Sequence, residues 1–244
     1  MEDAPPLGLE SEKKTFRASE QSHPDIKKER SDWVGAQPRL EPARLIFLDE
    51  TSITTNMTPA YGRSPRGTRC LGQAPFGQRQ SSTLVCALQT QGLIAPMVFD
   101  GPINGSAFVA WVKQALAPEL KAGDIVVMDN LSSHKVAGVR QAIEACNAQV
   151  LYLPPYSPEF NPIEQVFAKL KTLLRKAQAR TSEALLSAVA TLISALTPAN
   201  VKTTSAIPAI VGQGENALFC SSALHGRGTE RACTRKGLVI IWSV

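Results

Sequence analysis

Apolar residues in this chain fall into short unbroken runs separated by polar stretches rich in Pro and Gly, the pattern of buried strands alternating with amphipathic helices. The first run, Leu45-Ile46-Phe47-Leu48 within 44–51, ends in acids and suits a strand buried on both faces. Segments 82–89 and 93–99 read as two strands joined by the Thr90-Gln91-Gly92 turn, a hairpin signal. Asn104 or Ser106 can cap a helix bearing Phe108, Val109, Val112 and Leu116 at helical spacing. A second buried strand over 124–130 ends on Asp129, after which Ser132 or Ser133 opens a helix with Val136, Val139, Ile143 and Cys146 on one face. Segment 149–153 is a third short run, and the prolines at 154, 155 and 158 keep the next stretch of chain extended or turning. The 161–177 stretch predicts a basic amphipathic helix with Val166, Phe167, Leu170, Leu173 and Leu174 inward, and Thr181 or Ser182 caps another reaching about 196. Upstream, a short helix over 25–36 has Ile26, Trp33 and Val34 as its apolar anchors. This order predicts an α/β sheet, antiparallel on one side and parallel on the other, with helices on both faces. Residues 1–24 are expected to form a flexible leader, 25–198 the folded core, and the Thr-, Gly-, Ser- and Arg-rich 199–244 a largely disordered tail.

Composition narrows the class only modestly. With 244 residues and 43% hydrophobic content the chain can bury one substantial core. A net charge of +5 is compatible with a polyanionic partner without requiring one. The five cysteines are scattered, with no CxxC pair, which fits unpaired thiols in a reducing cytoplasm. The first residues are acidic and polar where a signal peptide is basic then apolar, and no apolar run approaches the roughly 20 residues that span a bilayer. A cytoplasmic protein without membrane contact is the expectation.

The candidate chemistry sits where the runs end. Asp49 closes one predicted strand and Asp129 another, and if the two are parallel neighbours both carboxylates emerge at the sheet edge where open α/β folds bind ligands. Two ionised carboxylates brought close need a shared proton or a cation, and a hard divalent cation is the natural partner of oxygen ligands. Glu164, near the start of the basic helix, is a third acid. Each has a plainer explanation: Asp at a strand end often just begins a turn, and Asn161-Pro162-Ile163-Glu164 has the arrangement of a capping box with Pro at the first helical position. Arg63, Arg66, Arg69 and Arg79 in the 58–80 loop, and Lys169 and Lys171 on the basic helix, could neutralise a phosphate backbone or simply face solvent.

The wording around the acids changes those odds. Leu48-Asp49-Glu50-Thr51, the Val-Met-Asp-Asn-Leu-Ser-Ser-His string ending at His134, and the Leu-Pro-Pro-Tyr-Ser-Pro-Glu-Phe-Asn-Pro-Ile-Glu-Gln string ending at Gln165 resemble the bacterial insertion-sequence transposases of the mariner-like superfamily. The resemblance spans roughly 13–198. It implies a ribonuclease-H-like fold and a DDE triad on Asp49, Asp129 and Glu164, holding two magnesium ions for which manganese can substitute. It also implies double-stranded DNA as partner, at element ends and at target, and a homodimer or higher assembly on that DNA. Tyr156, Asn161 and Pro162 would shape the turn that aims Glu164, and Asn130 would support the site. His134 is expected to be a structural hydrogen-bond partner outside the catalytic set.

Both ends depart from the family pattern. The family places a helix-turn-helix reader before its catalytic core, and the first 39 residues are too few to contain one. The tail reads as out-of-frame sequence. Two functions therefore stay open: a competent core that cleaves and joins DNA, or a remnant that binds DNA and metal without transposing. A ribonuclease-H-like nuclease or resolvase would share the acids but not the joining step. A two-carboxylate glycosidase is poorly served by three Trp and three Tyr in the whole chain.

Overall fold

The computed structural model describes residues 18–75 and 80–196 and the backbone of 240–242. Helix α1 (Pro24–Ala36) leads into strand β1 (Leu45–Thr54), the hairpin β2 (Ser81–Gln89) and β3 (Gly92–Asp100), and helix α2 (Gly105–Trp111). Next along the chain come β4 (Ile125–Met128), α3 (Ala137–Glu144), β5 (Gln149–Tyr152), α4 (Ile163–Ala177) and α5 (Ser182–Ala195), with a short strand β6 (Ile240–Trp242). Sheet order is β5-β4-β1-β2-β3-β6. β1, β2 and β3 are antiparallel, whereas β4 and β5 join β1 in parallel, the division predicted from the order of runs. β6 lies parallel to β3. Most of the expected leader and tail, and Arg79, lie outside the described residues; of the leader, Ser19–Ser22 form a short 3-10 turn ahead of α1.

Alternation along β1 feeds two cores. Leu45, Phe47 and Ile53 pack with Cys86, Trp33 and the apolar faces of α4 and α5 on one side of the sheet. Ile46 and Leu48 pack with Phe99, Met128, α2 and α3 on the other. Each large side chain so buried contributes about 1.5–3 kcal/mol, which is why a run apolar at every position settles as a central strand.

Four local expectations are corrected. β1 does not end at Asp49 but runs on to Thr54, because Thr51 and Ile53 also bury and the ladder to β2 continues through Thr54↔Ser81. α3 starts at Ala137 rather than at Ser132 or Ser133. Asp129 Oδ1 accepts the Leu131 N–H at 3.0 Å, and two turns, His134 N–H to Leu131 O and Lys135 N–H to Ser132 O, precede the helix. Those local bonds occupy the donors a helix start would use. Val34 is 51% exposed, since it lies about 100° around α1 from buried Trp33. The capping box at α4 does not form: Pro162 is the N-cap, without a side-chain cap, and the Asn161 amide is turned elsewhere.

Candidate active site

Asp49 lies on the α4 side of the sheet, directly across from Cys86 on β2. Because β4 runs parallel to β1, Asp129, the residue after β4, emerges beside it, and α4 brings Glu164 over the same edge. The three acids line one cleft of about 440 Å³, together with Asn130, Tyr156, Asn161 and the Leu153–Pro158 segment. Asp49 is buried, Asp129 half-buried and Glu164 exposed.

Asn161 ties the turn before α4 to the strand. Its Nδ2 donates to Asp49 Oδ2 at 3.0 Å, while its Oδ1 is buried without a hydrogen-bond partner. The Glu50 backbone N–H donates to the other Asp49 oxygen at 2.8 Å. Asn130 Nδ2 donates to the Leu153 carbonyl at 2.6 Å, joining the end of β4 to the start of the proline turn. Tyr156 occupies the left-handed region at φ 54° on the cleft's rim. Pro162 starts α4 and does not line the cleft.

Burial pushes the Asp49 carboxyl up to about 7, with the neighbouring Glu164 and Asp129 charges adding to that against the bond from Glu50 N–H. Across the strand, burial and the Asp49 charge push the Cys86 thiol upward. Asp129 moves the opposite way: burial would raise it, but the hydrogen bond from His134 and the Leu131 N–H hold it below the ordinary carboxylate value.

His134 and Glu50 enter here from the opposite face of the sheet. Successive strand residues point to opposite faces, so Glu50 points away from Asp49 and meets the fully buried His134, whose Nε2 lies 2.9 Å from its carboxylate. His134 Nδ1 is 2.6 Å from Asp129 Oδ1, and its ring stacks 4.4 Å from Phe108. Burial disfavours the charged ring, yet the Asp129 and Glu50 carboxylates outweigh it and raise its pKa to about 9. Glu50 escaped the sequence reading; the signal was there in the strand's alternation, since an acid next to a buried acid must face the other core and find a cation.

The basic candidates are not part of the cleft. Arg63, Arg66 and Arg69 are exposed on the loop after β1, Lys169 is exposed and Lys171 half-buried on α4.

Among the described residues no three His, Cys, Asp or Glu side chains are gathered tightly enough to hold a metal ion. The donor set nevertheless suits one: oxygen only, three acids on one cleft, a buried carboxyl whose ionisation the other two oppose, and an unpartnered amide oxygen beside it.

A mixed sheet of this order, with Asp49 within the central strand β1 and Asp129 directly after its parallel neighbour β4, has the ribonuclease-H-like fold. The chain belongs to the DDE superfamily endonucleases, a family that matches residues 44–186, more than half its length. Solved structures agree in fold. The Mos1 transposase paired-end complex with left transposon end is 16% identical with a TM-score of 0.66, covering 84% of this chain and 66% of that one. The mariner Mos1 paired-end complex with Mg gives 16% and 0.68, over 84% and 65%. The catalytic domain of Mos1 mariner transposase gives 16% and 0.54, over 77% and 90%. This chain thus spans just under two thirds of the transposase chains in those complexes and most of the isolated catalytic domain. No curated protein sequence matches it.

Proposed function

We propose that this chain is the catalytic core of a DNA transposase of bacterial insertion-sequence type, cutting DNA at element ends and joining the released 3′-hydroxyl to target DNA. The observation that supports it best is the convergence of Asp49, Asp129 and Glu164 on one cleft. The likeness to Mos1 structures, among them a paired-end complex with Mg, one with Mn and a strand transfer complex, points the same way.

In this reading Asp49, Asp129 and Glu164 hold two divalent cations, magnesium or manganese. When bound, these supply Lewis acidity to the attacking and leaving oxygens of an in-line displacement at phosphorus. The chain's own groups prepare the ligands. Asn161 fixes one oxygen of Asp49, and His134, held from behind by Glu50, keeps Asp129 ionised and oriented. No protein nucleophile is required: water attacks the phosphodiester first and frees a 3′-hydroxyl, which attacks the target phosphodiester next. Arg63, Arg66, Arg69, Lys169 and Lys171 would contact the DNA backbone, and the assembly on paired ends would be a homodimer or larger.

The test is cleavage and joining of labelled DNA bearing cognate element ends, with magnesium or manganese. The chain alone, the chain supplied with an upstream DNA-binding region, and Asp129→Ala would be compared. Metal-dependent cutting that Asp129→Ala abolishes while DNA binding persists is the expected result. Cutting without joining would favour a nuclease or resolvase, and folded, DNA-binding protein that never cuts would mark a remnant.

A further inference from the structure

Helix α1 precedes the stretch matched by the endonuclease family, yet it grips the turn that carries Asn161 and leads to Glu164. Gln21, just ahead of α1, donates through Nε2 to the Tyr156 carbonyl at 2.5 Å. Arg30 donates to Ser157 Oγ at 2.5 Å and to the Tyr156 carbonyl at 3.4 Å from one nitrogen, and to the Glu159 carboxylate from the other. Its guanidinium also sits 4.9 Å from the centre of the Phe160 ring, and Trp33 packs 6.5 Å from the same ring.

Other bonds on that turn are few: Ser157 Oγ donates to the Pro155 carbonyl at 3.0 Å, and Asn130 holds the Leu153 carbonyl ahead of it. Pro154, Pro155 and Pro158 carry no N–H to donate. Tyr156 sits in the left-handed region that side chains rarely adopt. The turn's own backbone bonds are Phe160 N–H to Ser157 O and Asn161 N–H to Pro158 O. From Arg30 the line of contact is short: Ser157 heads the 3-10 turn Pro158–Phe160, Asn161 follows it, and Asn161 holds Asp49.

We infer that Arg30 is a positioning residue for the acid cleft, its planar fork fixing the 156–160 turn so that Asn161 meets Asp49 and Glu164 enters over the sheet edge. The inference rests on reading the cleft as catalytic. The fork matters because it serves three acceptors and a ring face at once, which the single ammonium of Lys cannot do.

The test compares the full chain with Arg30→Met, which keeps an apolar stem against Phe160, and with Arg30→Lys. Hydrogen exchange is followed at the Phe160 and Asn161 amides and in β1 and β4, beside magnesium-dependent DNA cleavage. Arg30→Met is expected to speed exchange about tenfold at Phe160 and Asn161 only. It should lower kcat on the order of ten- to a hundredfold with KM for DNA unchanged, with Arg30→Lys in between. Exchange unchanged at the turn, or raised equally through β1 and β4, would overturn the inference. So would local loosening with full kcat. If the unmutated chain cuts no DNA even when supplied with the upstream DNA-binding region, the functional reading fails, and the exchange pattern alone still decides whether Arg30 braces the turn.

Discussion

Asp49 carries a conflict of its own: a buried acid facing two other acids. Its carboxyl keeps its proton in the fold up to about pH 7, whereas an ordinary Asp releases it near 3.8. Between those values the native state binds the extra proton, so this group's effect on stability turns adverse as pH rises from about 4 to about 7 and stays adverse above. Asp49→Asn removes the charge and keeps the shape. The metal-free variant is expected to gain about 1–3 kcal/mol at pH 8, a melting shift of several degrees, and nothing at pH 4. Millimolar magnesium should raise the melting temperature of the unmutated chain and leave the Asn variant unmoved; thermal unfolding at both pH values checks this, and equal melting at pH 8 would refute it. The meeting of the acids on one cleft was legible from the apolar runs that precede them and from motif wording, although β1 runs on past Asp49. Their supports were not: Asn161 suited a helix cap by spacing alone, and only the tertiary approach of Asp49 gives its Nδ2 a carboxyl oxygen to donate to, a long-range contact that local spacing does not report.

At the scale of elements, α4 is the helix that matters, since Val166, Phe167, Leu170 and Leu174 anchor it to the sheet and its first turn presents Glu164. Its far end stops at Gln178, an exposed residue in the left-handed region at φ 50°. Glycine takes that conformation without the Cβ clash. Gln178→Gly is therefore expected to stabilise the chain by about 0.5–1 kcal/mol, read as a rise in the denaturant midpoint; a fall would show that the Gln side chain contributes something its geometry hides. The α5 start was readable because Thr181 accepts the Ala184 N–H as a cap should. The α3 start was not, because the serines that looked like caps lie in turns that carry His134 inward. A cap signal reports local bonding, and a buried histidine is a long-range fact.

For the molecule as a whole, the hairpin of β2 and β3 and the parallel joining of β4 and β5 followed from the spacing of apolar runs, a tight turn in the first case and helical crossovers in the second, whereas β1 meets β2 antiparallel across a long loop whose length does not dictate direction. Charge follows no such rule, and no helix among the described residues is long and apolar enough to cross a membrane. Arg63, Arg66 and Arg69 are exposed together on the loop after β1. If they contact DNA, replacing Arg63, Arg66 and Arg69 with Ala should flatten the slope of log binding constant against log salt by up to about 2.7. Titrations from about 50 to 200 mM salt would show it, and an unchanged slope would remove the loop from the DNA interface.

Asp49 and Glu50 are sequence neighbours committed to opposite faces of one sheet, and this makes the length of β1 less negotiable than its composition. A single-codon insertion ahead of Asp49 that left the preceding ladder in place would turn both acids over: Asp49, one methylene shorter, would take the place where Glu50 meets His134, the inserted residue would take the place of Asp49 at the cleft, and Glu50 would fall at the place of Thr51. A two-codon insertion would restore the facing but displace both carboxylates by roughly 7 Å along the strand. Swaps among Leu, Ile, Val and Phe along β1 can be absorbed by repacking, whereas a change in residue count ahead of Asp49 takes Asp49 from its place in the cleft and Glu50 from its place against His134 together.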